Sequence, residues 1–171
     1  MKIVVSEIRD EGQDVHFDGE IVFDVPDSQS VPVNSKMRVM KEGDSVYITG
    51  TIRTTFGLRC SRCLNTATTS MDFNFSVLYQ PVLSGEKDTH HELKREELEA
   101  GFYGHDEIDI ADMLREQITV NLPIKPLCTE TCKGMCSVCG ANLNSEACSC
   151  KKQETDERWN ALNKFFIERK N

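Results

Sequence analysis

Six cysteines fall within the 23 residues from Cys128 to Cys150, and two more, Cys60 and Cys63, stand far upstream. In order the dense stretch reads Cys128-x3-Cys132-x3-Cys136-x2-Cys139-Gly140-x7-Cys148-x-Cys150. Two Cys-x2-Cys pairs, Cys60/Cys63 and Cys136/Cys139, have the spacing of a tight turn that aims two thiolates at one ion. Such a turn also frees backbone N–H groups to donate to the sulfurs. Two turns, or one turn and another close pair, complete a tetrahedral zinc shell of four thiolates. Eight cysteines therefore suit two all-thiolate sites.

Glycine after the second cysteine, as in Cys139-Gly140, fits the left-handed backbone that closes such a knuckle. The favoured partition puts Cys136, Cys139, Cys148 and Cys150 in one local site. It leaves Cys60, Cys63, Cys128 and Cys132 for a second site, tying the first half of the chain to the C-terminal segment. A competing partition groups Cys128, Cys132, Cys136 with Cys139, and Cys60, Cys63 with Cys148, Cys150; spacing alone leaves it open. Structural zinc supplies on the order of 10 kcal/mol of folding free energy, comparable with the whole net stability of an ordinary domain. A segment such as 127–153, poor in large apolar residues, needs that contribution.

Other cysteine chemistries fit less well. A catalytic zinc keeps a water position and usually has His or carboxylate ligands beside a general base. His90-His91-Glu92 and His105-Asp106-Glu107 match a bare His-x-Glu, but neither leads to the Pro-Cys-x-x-Cys of the zinc deaminases. His90-His91 sits in an acidic stretch that reads as plain surface loop. A thioredoxin-like pair at Cys60/Cys63 requires a helix starting at the motif, whereas strands are expected on both sides. An iron–sulfur cluster uses the same thiolates, and residue type does not separate it from zinc.

The elements that must position these sulfurs are mostly strands. Val15, Phe17, Ile21, Phe23 and Val25 alternate until Pro26-Asp27. Lys36 to Lys41 and Ser45 to Thr55 read as a hairpin turning at Glu42-Gly43-Asp44, with Val46, Ile48 and Ile52 on one face. Met71, Phe73, Phe75, Val77 and Tyr79 alternate up to Pro81, so Cys60-Ser61-Arg62-Cys63 falls in a turn between two strands. Residues 83–107 read as a mobile acidic excursion, with a short helix over Glu92 to Ala100. Asp109 is the expected N-cap of a helix running to about residue 122, with Met113, Leu114 and Ile118 on its core stripe and Pro123 as its stop. Thr155 to Arg169 reads as an amphipathic terminal helix with Trp159, Leu162 and Phe166 on one side. The fold expected is α+β: an antiparallel β-rich body, sheet or partly open barrel, with one packed helix, then a Cys-rich zinc-binding segment and the terminal helix. The division expected is 1–126 for the body and 127–171 for the zinc-clipped segment, the two possible as one continuous domain.

Charge limits the choice of partner. The chain of 171 residues carries a net charge of −8, so the strongly basic footprint of a nucleic-acid binder is absent. The distribution is uneven. Residues 1–30 set Lys2 and Arg9 against eight acids, whereas 36–63 set six bases against Glu42 and Asp44. The N-terminus has no apolar signal-peptide core, and no apolar run reaches the roughly 20 residues that span a bilayer. A cytoplasmic location is expected, where dense reduced cysteines favour metal over disulfides.

Taken together, Cys60-Ser61-Arg62-Cys63-Leu64, Glu107-Ile108-Asp109-Ile110, Leu122-Pro123-Ile124-Lys125-Pro126-Leu127-Cys128 and the run from Cys132 to Asn144 resemble the bacterial and plastid YceD family of large-subunit ribosomal RNA accumulation proteins. Asp156-Glu157-Arg158-Trp159 and Leu162 resemble the family's tail. The resemblance implies a non-enzymatic ribosome-biogenesis factor that promotes accumulation of large-subunit (23S) rRNA, by binding that RNA or its precursor. Candidate RNA contacts are Arg53, Arg59, Arg62, Lys151, Lys152 and Arg158, each of which also reads as a solvated charge or a neutraliser of zinc thiolates. The alternative is a zinc-stabilised module that docks a basic ribosomal protein or a processing enzyme; a thiol oxidoreductase ranks last.

Overall fold

The computed structural model describes residues 1–23, 29–82 and 100–150. It divides into two units: residues 1–58 with 67–126, and residues 59–66 with 127–171. Val25, Pro26-Asp27, His90-His91, residues 92–99 of the helix proposed over Glu92 to Ala100 and the terminal helix lie outside the described residues, while Ala100 itself is strand.

In the first unit, period-two alternation makes the sheet. The strands β2 (Gln13–Phe23), β3 (Gln29–Glu42), β4 (Ser45–Arg59), β5 (Thr66–Pro81) and β6 (Ala100–Tyr103) lie side by side in chain order as one open sheet. A separate two-stranded ribbon joins β1 (Lys2–Val4) to β7 (Glu107–Asp109). The hairpin between β3 and β4 turns at Gly43-Asp44, one pair beyond Glu42 opposite Ser45. Val31, Val33, Met37 and Val39 of β3 and Val46, Ile48, Ile52 and Phe56 of β4 all face the core. Their alternation with exposed polar residues is what fixes the register, since a one-residue slip would turn every one of them outward. Phe23 and Phe56 meet edge to face, with ring centroids 4.8 Å apart.

The single α-helix among the described residues, α1 (Ile110–Asn121), covers this apolar face with Ile110, Met113, Leu114 and Ile118. Its start is set by the Asp109 side chain, which accepts from the Ala111 N–H at 2.8 Å and the Asp112 N–H at 3.3 Å. These bonds satisfy two donors that a helix N-terminus otherwise leaves unpaired. No helix among the described residues is long and apolar enough to cross a membrane.

Three features depart from the expected meander. β3 begins at Gln29, ahead of the expected Lys36, and contains Pro32. The β3–β4 ladder starts only at Val33 opposite Thr54, so the missing Pro32 N–H costs no bond there; the Thr54 hydroxyl donates to the Pro32 carbonyl instead, at 2.8 Å. β6 pairs with β5 in parallel, Leu78 opposite Ala100, so the sheet is mixed. Finally, β6 and the first residue of β7 fall inside the span expected to be an acidic excursion. Between them His105 and Asp106, at φ 55° and 61°, form a tight turn closed by the Glu107 N–H to the Gly104 carbonyl at 3.1 Å. The His105-Asp106-Glu107 triplet is thus committed to shape. Asp106 accepts from the Ser6 N–H at 3.1 Å, and Glu107 pairs with Lys2 at 2.7 Å.

Candidate metal centres

Both Cys-x2-Cys pairs fold into the same turn. In the first, the Cys60 N–H donates to the Asn65 carbonyl and the Leu64 N–H returns to the Cys60 carbonyl, each at 2.9 Å. In the second, the Cys136 N–H donates to the Ala141 carbonyl at 2.8 Å and the Gly140 N–H to the Cys136 carbonyl at 2.9 Å. The residue after the second cysteine is left-handed in both, at φ 61° for Leu64 and 74° for Gly140. The turns leave N–H groups pointing at sulfur. Val138 donates to Cys136 Sγ at 3.4 Å, and Cys150 to Cys148 Sγ at 3.4 Å.

Among the described residues, two groups of four cysteines have all their sulfurs within 4.8 Å of one another: Cys60, Cys63, Cys128 and Cys132, and Cys136, Cys139, Cys148 and Cys150. The geometry therefore follows the first of the two partitions that spacing permits. Both groups lie in the second unit. In the inner group Cys60 and Cys132 are 3.8 Å apart and Cys63 and Cys128 3.6 Å. In the outer group Cys139 and Cys148 are 3.6 Å apart, and Cys148 and Cys136 3.4 Å. A disulfide would bring sulfurs to about 2.05 Å, and all eight cysteines are free. Four sulfurs placed at about 2.3 Å from one tetrahedral ion would have edges of about 3.8 Å. Each group can thus hold a metal ion.

Electrostatics agrees with this donor set. The Cys63 and Arg62 N–H groups draw the Cys60 thiol down to about 6, while burial opposes them. Those of Cys139 and Val138 draw Cys136 down to about 6. Other members resist ionisation. Cys150 is pushed up to about 12, first by the Cys148 sulfur and then by Cys139. Cys63 is pushed up to about 12, because the Asn65 N–H that favours its thiolate is outweighed by burial and by the surrounding sulfurs. Four thiolates so close together need a compensating cation, and a divalent ion supplies that charge.

The segment between the groups is laced to both. The Asn144 side-chain amide donates to Cys132 Sγ at 3.3 Å, and its oxygen accepts from the Lys133 N–H at 2.8 Å. Against the burial that resists it, this amide helps hold Cys132 below the usual thiol range. The Leu143 N–H donates to the Gly134 carbonyl at 2.9 Å, and the Met135 N–H to the Arg62 carbonyl at 3.1 Å. Gly134 is required at this crossing: at φ 77°, a Cβ there would lie 3.1 Å from the Arg62 carbonyl oxygen. Asn144 and Gly134 escaped sequence reasoning based on ligand types, although the Ala141-Asn142-Leu143-Asn144 run carried the only cue.

Three of the six candidate RNA contacts fall among the described residues. Arg53 lies in the first unit and pairs with Asp72 at 2.9 Å on an exposed sheet face. Arg59 and Arg62 lie in the second unit. Arg62 donates to the carbonyls of Cys132 at 3.0 Å and Glu130 at 3.3 Å, so it fastens the inner knuckle to the C-terminal segment. Lys151, Lys152 and Arg158 lie outside the described residues.

An α+β body joined to a unit with two closed four-cysteine groups defines a protein built around sulfur clips. The family model described as "Large ribosomal RNA subunit accumulation protein YceD" matches residues 48–166, well over half of the chain. The chain belongs to that family. It is similar to the large ribosomal RNA subunit accumulation protein YCED homolog 1, chloroplastic, of Arabidopsis thaliana, 30% identical over 170 residues, which cover 82% of this chain and 50% of the relative. The Zea mays protein of the same name is 28% identical over 143 residues, 70% of this chain and 49% of the relative. An uncharacterized Mycobacterium tuberculosis protein is 27% identical over 134 residues, 78% of this chain and 62% of the relative. The chain thus spans about half to three-fifths of the length of these relatives. No solved structure matches it.

Proposed function

We propose that this protein is a non-catalytic assembly factor that promotes accumulation of large-subunit ribosomal RNA by binding the RNA or its precursor, on a scaffold clipped by two zinc ions. The observation that carries the non-catalytic reading is that sulfur atoms of this chain supply four donors at each centre, which leaves no coordination position for substrate or water. Zinc is favoured over an iron–sulfur cluster by the close spacing of the sulfurs. A cluster spreads its four thiolates over several irons, whereas four sulfurs within 4.8 Å of one another suit a single ion. Cys60, Cys63, Cys128 and Cys132 would hold one ion and Cys136, Cys139, Cys148 and Cys150 the other. Bound there, the ions supply cross-linking and neutralise thiolate charge. The role in RNA accumulation is supported by family membership and by the names of the plant relatives. A cytoplasmic site of action is part of the same reading.

Arg53, Arg59 and the tail bases Lys151, Lys152 and Arg158 are the contacts proposed for RNA. Arg62 belongs to the same proposal, and its guanidinium also serves the backbone carbonyls of Glu130 and Cys132. The test is a mobility shift of large-subunit rRNA fragments at moderate salt, with Arg53→Glu plus Arg59→Glu as the variant. Metal content and thermal stability should stay at wild-type level while the shift weakens at least several-fold. Absence of any shift by the fully metallated protein, or a depleted host that keeps its normal ratio of large- to small-subunit rRNA, would refute the reading.

A further inference from the structure

The long outer strand β2 ends the five-stranded sheet, and all eleven of its residues pair with β3 in one unbroken register, Gln13 opposite Val39 through to Phe23 opposite Gln29. Among the described residues no strand pairs with its other side. The Arg115 guanidinium reaches the Val22 carbonyl at 3.1 Å, which identifies the outward set of backbone groups. A strand residue's N–H and C=O point to the same side, and alternate residues share that side. Asp14, His16, Asp18 and Glu20 therefore share Val22's outward direction, each presenting an N–H and a C=O to the edge; among the described residues Arg115 covers the Val22 end.

Proteins usually guard such an edge with lysine, proline, a bulge or brevity. β2 has none of these; its guards are charges of one sign, which repel another acidic strand but not a basic one. It carries Asp14, Asp18 and Glu20, whose side chains lie on the exposed face, while Val15 and Phe17 on the opposite face are only half-buried. A second copy of β2 would bring a second acidic strand against the first, which is unfavourable.

We infer that the β2 edge is a docking site for an extended, basic segment of a partner protein, added as a further strand. The sheet dictates the chemistry of that segment. Partner residues opposite Asp18 and Glu20 lie on the exposed face and are Lys or Arg, whereas Asp14 already pairs with Arg38 at 3.3 Å. Those between them lie beside Val15, Phe17 and Gly19 and are apolar. The pattern is a basic–apolar alternation, with main-chain hydrogen bonds supplying affinity and side chains supplying selectivity. The hydrogen-bonding edge differs from the RNA contacts proposed above, of which Arg53 lines the same hollow of the exposed face as Asp18.

The test uses the full metallated protein and a fluorescent ten-residue peptide of alternating Lys and Val. Binding is read by anisotropy, and its location by amide hydrogen exchange. Protection is expected at the N–H groups of Asp14, His16, Asp18 and Glu20. Affinity should fall at least tenfold for Asp18→Lys with Glu20→Lys. It should also fall at least tenfold when the peptide carries N-methyl groups at the amides that would face β2. His16→Pro removes an outward N–H without touching the β3 ladder and should abolish binding; if that variant misfolds, the methylated peptide supplies the same readout on the native chain. Binding that persists after N-methylation, protection confined to another surface, or assembly of the protein with itself through β2 would each overturn the inference.

Discussion

Leu64 and Gly140 occupy the same position in two matching turns: each N–H reaches the carbonyl of its first cysteine at 2.9 Å, and each backbone is left-handed. One turn uses the residue that adopts this conformation freely, and the other uses a branched side chain that is 58% exposed. The chain thus contains its own control for backbone strain.

For a non-glycine residue the left-handed region costs about 1–2 kcal/mol, part of which glycine returns through its freer unfolded chain. Leu64→Gly is therefore expected to stabilise the metallated protein by about 0.5–1 kcal/mol. Gly140→Ala is expected to destabilise it by a similar amount, since a Cβ there meets nothing within 4 Å and only the backbone is tested. Thermal melts at saturating zinc compare the two; a destabilising Leu64→Gly would show that the side chain packs productively.

Asn144 is expected to matter more than its exposure suggests. Asn144→Ala removes the amide donor to Cys132 and the acceptor of the Lys133 N–H. Second-shell losses of this kind typically lower metal affinity about 10–100-fold. Chelator competition should show the drop at one metal equivalent, leaving the other unchanged, and an equal loss from both would contradict the assignment.

Metal removal should proceed in two phases. Cys60, Cys63 and Cys132 are 0%, 3% and 4% exposed, whereas Cys139 and Cys150 are open to solvent. A chelator is expected to take the outer ion first. Native mass spectra during the titration should pass through a one-metal species, and cysteine labelling of that species should mark Cys136, Cys139, Cys148 and Cys150. Labelling of Cys60 first would reverse the order.

Gly50 tests the sheet itself. It lies opposite Met37 on β3, and a Cβ there would come within 2.3 Å of the Lys36 carbonyl oxygen and 2.8 Å of Met37 Cα. Both obstacles are backbone, so the strands must part. Gly50→Ala should cost more than about 2 kcal/mol in urea unfolding, beyond the usual range of an exposed substitution. A near-neutral result would mean that β3 and β4 are less closely apposed than described.

Much of this was legible beforehand because each signal was local. Alternation at Val46, Ile48 and Ile52 gives the buried face of β4, and Asp109 ahead of an apolar stripe gives the start of α1. Cys-x2-Cys gives the turns. The grouping of the cysteines was legible as a preference, which the structure follows, since Cys148 and Cys150 are compatible in spacing with either pair; the crossing of Gly134 over Arg62 and the reach of Asn144 to Cys132 accompany it in space. Parallel pairing of β6 was hidden because Ala100-Gly101-Phe102-Tyr103 is short and glycine-containing, and its partner is chosen by tertiary contacts. The fastening role of Arg62 was hidden for a related reason: a charge in sequence does not announce that it will also serve carbonyls such as those of Glu130 and Cys132. Pro32 hid the first half of β3, because the ladder gap that tolerates it exists only once β4 is in place.

The two sulfur groups also differ in how far their members are separated along the chain. Cys60 and Cys132 are 72 positions apart, whereas Cys136 and Cys148 are 12 apart. During synthesis at about 5–20 residues per second, the first knuckle emerges several seconds before its partners exist. A nascent chain therefore carries Cys60 and Cys63 as an open two-thiol hook, able to bind a metal weakly or to meet another thiol. The local group closes almost as soon as it is made. All four sulfurs of the long-range clip are nonetheless made before Cys136, so growth under zinc limitation should leave newly made chains filled there and incomplete at the local group.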